Sequence, residues 1–203
     1  KQIVKGIYTK PWIECFQTSL SAMQILFKVK TKQKKDWVNA AQKVKLPGRL
    51  DLRHNVFWPK HKKNFKKLLT DGGHNQDALF ALSEFIYNNN LSPCTLILGM
   101  ASDKLNENVR EPLKKLCKYA DTIIITSFDS KRSANPEFLE IFLKNSGATD
   151  HLPVIKVTYS PEDALQISLN ISESPVVVAG SFYLVGIAMH LLDINAEPLI
   201  RKL

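Results

Sequence analysis

Three cysteines, Cys15, Cys94 and Cys117, are scattered through 203 residues. That is too few and too dispersed for a disulfide framework or a zinc site; it fits a reducing compartment, with the thiols read as small buried apolar side chains. No secretory leader is expected, because Lys1 to Lys10 alternates basic and apolar side chains without a long apolar stretch. The chain starts at Lys rather than Met, which makes a fragment or processed product an open expectation. One run imitates a membrane span, the eighteen uncharged residues from Pro175 to Leu192, but Gly180-Ser181 interrupts it and His190 lies inside it. Its first half, Val176-Val177-Val178, suits a buried parallel strand and its second half a helix, so no membrane partner is expected. Gly-x-Gly-x-x-Gly is missing, which argues against a dinucleotide enzyme, and Gly-x-x-x-x-Gly-Lys-(Ser/Thr) is missing too, so the chain brings no phosphate-cradling loop of its own. There is no internal repeat, no helix-turn-helix and no aromatic-interleaved RNA motif.

What is present is a globular composition, 44% hydrophobic and 23% charged, long enough for a real core. The net charge of +9 is unevenly spread: Lys1 to Thr70 carries 17 basic and 3 acidic residues, the remainder 11 basic and 16 acidic. Lys28, Lys30, Lys32, Lys34 and Lys35 form one cluster; Lys60, Lys62, Lys63, Lys66 and Lys67 form another around His61. Such clusters either hold phosphates or simply solvate loops, and nothing else in the chain supports a nucleic-acid partner.

Helical spacing opens the chain, with Ile13, Phe16, Leu20, Met23 and Phe27, then Trp37, Ala40, Ala41 and Val44. Pro47-Gly48 breaks the pattern, and strands and helices then alternate. Apolar runs predict strands at Lys67 to Asp71, Leu96 to Met100, Thr122 to Thr126, Val154 to Val157 and Val176 to Ala179, with Arg49 to Val56 as an additional edge strand before a loop from Lys60 to Lys67. Asn135 ahead of Pro136-Glu137, and Ser160 ahead of Pro161-Glu162-Asp163, read as capped helix starts. The expected fold is α/β: a Rossmann-like, mainly parallel sheet of about six strands with helices on both faces, preceded by a short helical segment.

The most informative segment is Leu68-Leu69-Thr70-Asp71-Gly72-Gly73-His74-Asn75, an apolar strand that runs into an acid, two glycines and a histidine before a helix. The helix face is Ala78, Leu79, Leu82, Phe85 and Ile86, with Asn75 as its cap. Asp71 falls at the carboxyl end of a strand, where open α/β sheets collect ligands. The competing reading is a plain corner in which the acid is solvated and the histidine packs. Two further strings accompany it, Leu46-Pro47-Gly48-Arg49-Leu50 and Ala179-Gly180-Ser181-Phe182-Tyr183-Leu184-Val185-Gly186, together with Leu96-Ile97-Leu98-Gly99-Met100-Ala101-Ser102-Asp103-Lys104.

These four motifs, over about residues 46 to 192, resemble the carboxy-terminal domain of the folylpolyglutamate synthase and dihydrofolate synthase family, relatives of the Mur ligases. The resemblance implies two units: residues 1–45 as the helical tail of an otherwise absent central ATPase domain, and residues 46–203 as the carboxy-terminal domain. It implies part of an ATP-dependent amide ligase that adds L-glutamate to dihydropteroate or folate through an acyl phosphate. ATP and magnesium are the implied cofactors, with the magnesium ligands in the missing domain and no metal ligand in this chain. An amino-terminal ATPase domain, in cis or trans, is the implied partner, the cytoplasm the implied location, and inactivity of this chain alone the consequence. The alternative is a non-catalytic binding or interaction module that keeps the fold.

Carried over from the family, Arg49 and Asp71 are candidate ATP contacts, and His74 and Ser181 candidate catalytic residues. The bland counterparts are an Arg49 paired with Asp51, a His74 satisfied by backbone and a Ser181 that only caps a helix. Asp103 and Lys104 mark a loop near the interdomain cleft, and Lys131-Arg132 resembles a basic position after the Thr122 to Thr126 strand. Upstream, Phe16-Gln17-Thr18-Ser19 is similar to the family's Tyr-Gln-x-x-Asn helix but lacks its asparagine, which removes an expected adenine contact.

Overall fold

The computed structural model describes residues 10–27, 36, 46–171 and 173–194. Helix α1 spans Lys10–Phe27 and carries Phe16-Gln17-Thr18-Ser19 in mid-helix, as its spacing predicts. The helix expected around Trp37, Ala40, Ala41 and Val44, and the lysine cluster from Lys28 to Lys35, lie outside the described residues.

From Asp51 the chain builds a six-stranded sheet in the order β1-β2-β6-β3-β4-β5. Strand β1 spans Asp51–Trp58 and β2 spans Lys63–Asp71, with helix α2 at Gln76–Asn88. Strand β3 spans Cys94–Leu98, helix α3 Arg110–Cys117 and β4 Ala120–Thr126. Helix α4 spans Pro136–Asn145, β5 Val154–Thr158, α5 Pro161–Ile171, β6 Val176–Ala179 and α6 Phe182–Leu191. All pairings are parallel except β1 against β2. The mainly parallel α/β sheet expected from the sequence is therefore the observed one.

Strand alternation sorts the interior into two layers. Leu69, Leu96, Leu98, Ile123, Ile125 and Val177 face α2, α3 and α4; Leu68, Ile97, Ile124, Val176 and Val178 face α5 and α6. Because both faces are covered, the inner strands read as continuous apolar runs, and β6 has the bounds its β-branched run predicts. Asn135 and Asn75 cap α4 and α2 through their side-chain oxygens. Ser160 Oγ accepts a long 3.4 Å bond from the Asp163 amide at the start of α5.

Two expectations are corrected. The stretch from Lys60 to Lys67 is not a loop: Pro59–His61 makes one 3-10 turn and β2 starts at Lys63, four residues early. Phe65 is the buried residue of this outer half, flanked by exposed lysines, so no apolar run announces a strand that β1 pairs directly. Three of these lysines are committed along α5 or just beyond it. Lys60 pairs with Glu162, Lys63 Nζ donates to Asn170 Oδ1 at 2.7 Å, and Lys66 pairs with Glu173 just beyond the helix. Cys94 and Cys117 are buried, as expected, but Cys15 is exposed on α1. Burial pushes the Cys94 and Cys117 thiols up to about 12, so both are neutral packing groups. Among the described residues no helix is long and apolar enough to cross a membrane.

Gly180 ends β6 with φ +98°, and a Cβ there would sit 2.7 Å from the Gly99 carbonyl oxygen of the neighbouring strand end. Gly180→Ala is expected to cost more than about 2 kcal/mol of folding stability through backbone strain and this collision. Urea unfolding of the two chains measures it; equal midpoints would refute the strain argument.

Candidate functional site

In the ladder Asp71 lies beside Ala179, and Ala179 beside Leu98. The carboxyl ends of β2, β6 and β3 therefore stand level, at the place where sheets of this kind bind ligands. Here the separated motifs meet. Asp71 is 3% exposed; its Oδ2 accepts from the Leu50 amide at 2.8 Å and its Oδ1 from the Gly73 amide at 2.7 Å. The Gly72 amide donates back to the Gly48 carbonyl at 2.8 Å, so the Pro-Gly-Arg loop is stitched to the Gly-Gly turn in both directions. Burial raises the Asp71 pKa above the ordinary carboxylate value, and the two amides, then the nearby Arg49 and His74, only partly offset it.

Arg49 is exposed, and its Cζ lies 4.3 Å from the centroid of the Phe182 ring. Asp51, its partner in the bland reading, is instead held by Arg53, with Nη2 at 2.9 Å. Among the described residues no carboxylate lies within ion-pair distance of the Arg49 guanidinium, so its donors stay open. His74 Nδ1 lies 3.0 Å from the Gly72 carbonyl oxygen. A carbonyl only accepts, so Nδ1 carries a hydrogen and Nε2 is the nitrogen left open. The backbone-satisfied histidine and the available histidine are thus the same residue. Ser181 caps α6 by accepting from the Tyr183 amide at 3.2 Å and is 5% exposed.

Beyond β3 and β4 a second group forms. Arg132 Nη2 donates to Asp103 Oδ2 at 2.9 Å and to Oδ1 at 3.1 Å, and Lys104 Nζ stands 3.5 Å from the same carboxylate. This pairing holds Asp103 below the usual carboxylate range. The ring of Tyr183 stacks on Phe128 at 5.8 Å between centroids, with 3° between the planes. So Asp103, Lys104 and Arg132 do come together, in a surface latch between the loops after β3 and β4.

Sequence reasoning overlooked Phe182. The residue stood in a quoted motif, yet aromatic residues at a helix start ordinarily signal packing, and its neighbours come from segments over a hundred positions away. The site thus gathers an arginine that has no ion-pair partner among the described residues and lies on a ring face, an imidazole with one nitrogen open, and a helix start with a hydroxyl cap, groups of a kind that suit an anion. Among the described residues no group of three or more His, Cys, Asp or Glu could hold a metal ion.

The family model described as dihydrofolate synthetase, C-terminal domain, matches residues 53–191. A probable dihydrofolate synthetase of Schizosaccharomyces pombe is 24% identical over 189 residues, which cover 90% of this chain and 42% of that protein. Among solved structures, the Mycobacterium tuberculosis folylpolyglutamate synthase complexed with ADP and AMPPCP aligns with a TM-score of 0.68 at 19% identity, over 88% of this chain and 39% of its own. E. coli FolC in complex with DHPP and ADP gives 0.66 at 21% identity, over 93% and 40%. Likeness at these identities shows the fold, and the chain spans about two fifths of the length of these proteins.

Removing the Asp71 carboxylate by Asp71→Ala orphans two buried amides and is expected to cost about 1–3 kcal/mol of stability. Because burial raises the folded pKa, the folded state binds the proton more tightly than the unfolded chain does; this contribution is full below about pH 4 and declines as pH rises through the raised pKa. Urea titrations of both chains across pH should therefore show the cost of Asp71→Ala shrinking with rising pH, and a cost that grows would reverse the assignment.

Proposed function

We propose, since this chain belongs to the family of the dihydrofolate synthetase carboxy-terminal domain, that it is this part of an ATP-dependent ligase joining L-glutamate to dihydropteroate or folate. The observation that carries the reading is the uncommitted Arg49 guanidinium, held beside the buried Asp71 at the level carboxyl ends of β2 and β6. In the reaction the pterin-linked carboxylate takes the terminal phosphoryl group of ATP and ADP leaves; the glutamate amine then attacks the acyl carbon, phosphate departs with the electron pair, and an amide remains. Such chemistry needs phosphate charge neutralised, two anionic substrates oriented and water excluded.

In this reading Arg49 presents its planar donors to the ATP phosphates, and Asp71 acts on ATP by fixing the loop that carries Arg49. His74 and Ser181 orient the anionic acceptor, the first by donating from Nε2 when the ring carries its second proton, the second through its hydroxyl at the start of α6. Magnesium, held by residues beyond those described here, would screen the phosphates. Residues 1–45, including α1, are the tail of the central ATPase domain, and residues 46–203 the carboxy-terminal domain; the rest of the ATPase unit is supplied in cis or in trans, in the cytoplasm. Support comes from the family match and from the part-length coverage of relatives named for this activity.

The isolated 203-residue chain should show no ATP-dependent glutamylation of dihydropteroate, and joining it to a matching ATPase half should produce turnover. In that joined enzyme Arg49→Ala should lower kcat/KM for ATP about a hundredfold. Turnover by the chain alone, or an Arg49→Ala enzyme as fast as its parent, would sink the proposal.

A further inference from the structure

We infer that Phe182 is the positioning residue for Arg49: its ring face, rather than a carboxylate, sets where the guanidinium stands at the carboxyl end of the sheet. A long exposed arginine without an acid partner samples many rotamers, and freezing them costs binding free energy. An ion pair would restrict those rotamers but would also occupy the donors and cancel the charge. A ring face restricts them and leaves both intact, since the π cloud takes the cation without accepting its hydrogen bonds in place of a ligand. Nearby Asp51 could have formed the ion pair, and the structure gives it to Arg53 instead.

The ring is itself held in place by the other two motifs. A Cβ on Gly72 would lie 2.4 Å from Phe182 Cδ1, so the ring rests on the bare backbone of the Gly-Gly turn. Gly48, at φ +70°, brings the Arg49 loop against the same helix; a Cβ there would lie 2.7 Å from Val185 Cγ1. The His74 ring meets Phe182 edge-on at 6.4 Å and 81°. Phe182 stays 40% exposed even so, with the Arg49 guanidinium lying over its ring. Three motifs far apart in sequence thus share one ring. The inference rests on the proposed role of Arg49 only for the identity of the anion; the ring-to-arginine contact is testable without it.

Nuclear magnetic resonance of the 203-residue chain reads the contact directly. The Arg49 δ protons should resonate upfield of those of the other arginines through the ring current, keep that shift in Phe182→Tyr and lose it in Phe182→Leu. Titration with pyrophosphate should perturb the Arg49 guanidinium, with about two- to fivefold weaker affinity in Phe182→Leu and near-parental affinity in Phe182→Tyr. An unshifted Arg49 in the parent chain overturns the inference, and so does pyrophosphate affinity unchanged by Phe182→Leu. Should Phe182→Leu fail to fold, the parent and Phe182→Tyr spectra decide. A parent chain with the upfield shift but no pyrophosphate binding confirms the positioning role and removes the phosphate role assigned to Arg49, so the two readings fail separately.

Discussion

The Asp71 carboxylate sits at 3% exposure with an oxygen on each of two backbone amides, Leu50 from the Pro-Gly-Arg loop and Gly73 from the turn after β2. Burying a charge of this kind is unfavourable unless its lone pairs are met, and here they are met by the two segments that the Gly72 to Gly48 bond and the β1–β2 ladder also join. The loop that bears Arg49, the turn that bears His74 and the start of α6 are thereby set against one another. Gly72 matters for the same reason, since only a residue without a side chain lets Phe182 lie on the turn that Asp71 fixes.

The charge asymmetry of the chain finds a local explanation. Lys60, Lys63 and Lys66 descend the β1–β2 hairpin against Glu162, Asn170 and Glu173 along α5, fastening an antiparallel edge to a helix of the adjacent layer. Each contact is exposed and worth little alone, but the row aligns the hairpin over the helix. Trp58, fully buried at the end of β1, anchors the same edge from beneath, with its ring 4.0 Å from that of His61.

Much of this architecture was legible in the residues, for a definite reason. Strands covered on both faces must be apolar throughout, so β3, β4 and β6 stand out as bounded runs, and Asn75 and Asn135 mark helix starts because their side chains replace missing backbone partners. The outer half of β2 was not legible, since Phe65 is its lone inward apolar residue between Lys63 and Leu68. The exposure of Cys15 escaped as well, because an apolar thiol is ordinarily buried and nothing in its own helix reveals what covers it. At the site, Arg49, Asp71, His74 and Ser181 could be named from motifs, and the structure gathers them at one end of the sheet. Which partner each takes could not be named: Asp51 is equally near Arg49 and Arg53 along the chain, and the Phe182 ring reaches Arg49 across 133 positions of sequence.

Strand order has a consequence for how such a chain comes to exist. Residues 176–179 follow the other five strands in sequence and form the strand that bridges β2 and β3; before they arrive, the sheet is two pieces, an antiparallel hairpin and a parallel β3-β4-β5 ribbon, with no ladder between them. A nascent chain released or stalled short of β6 exposes the open edges of both pieces to any other strand nearby. The segment directly after β6 carries Ser181 and Phe182, so the strand that seals the sheet also brings the Phe182 ring beside Arg49 and His74. Completion of the sheet and the gathering of side chains at its carboxyl end therefore rest on one segment of the sequence.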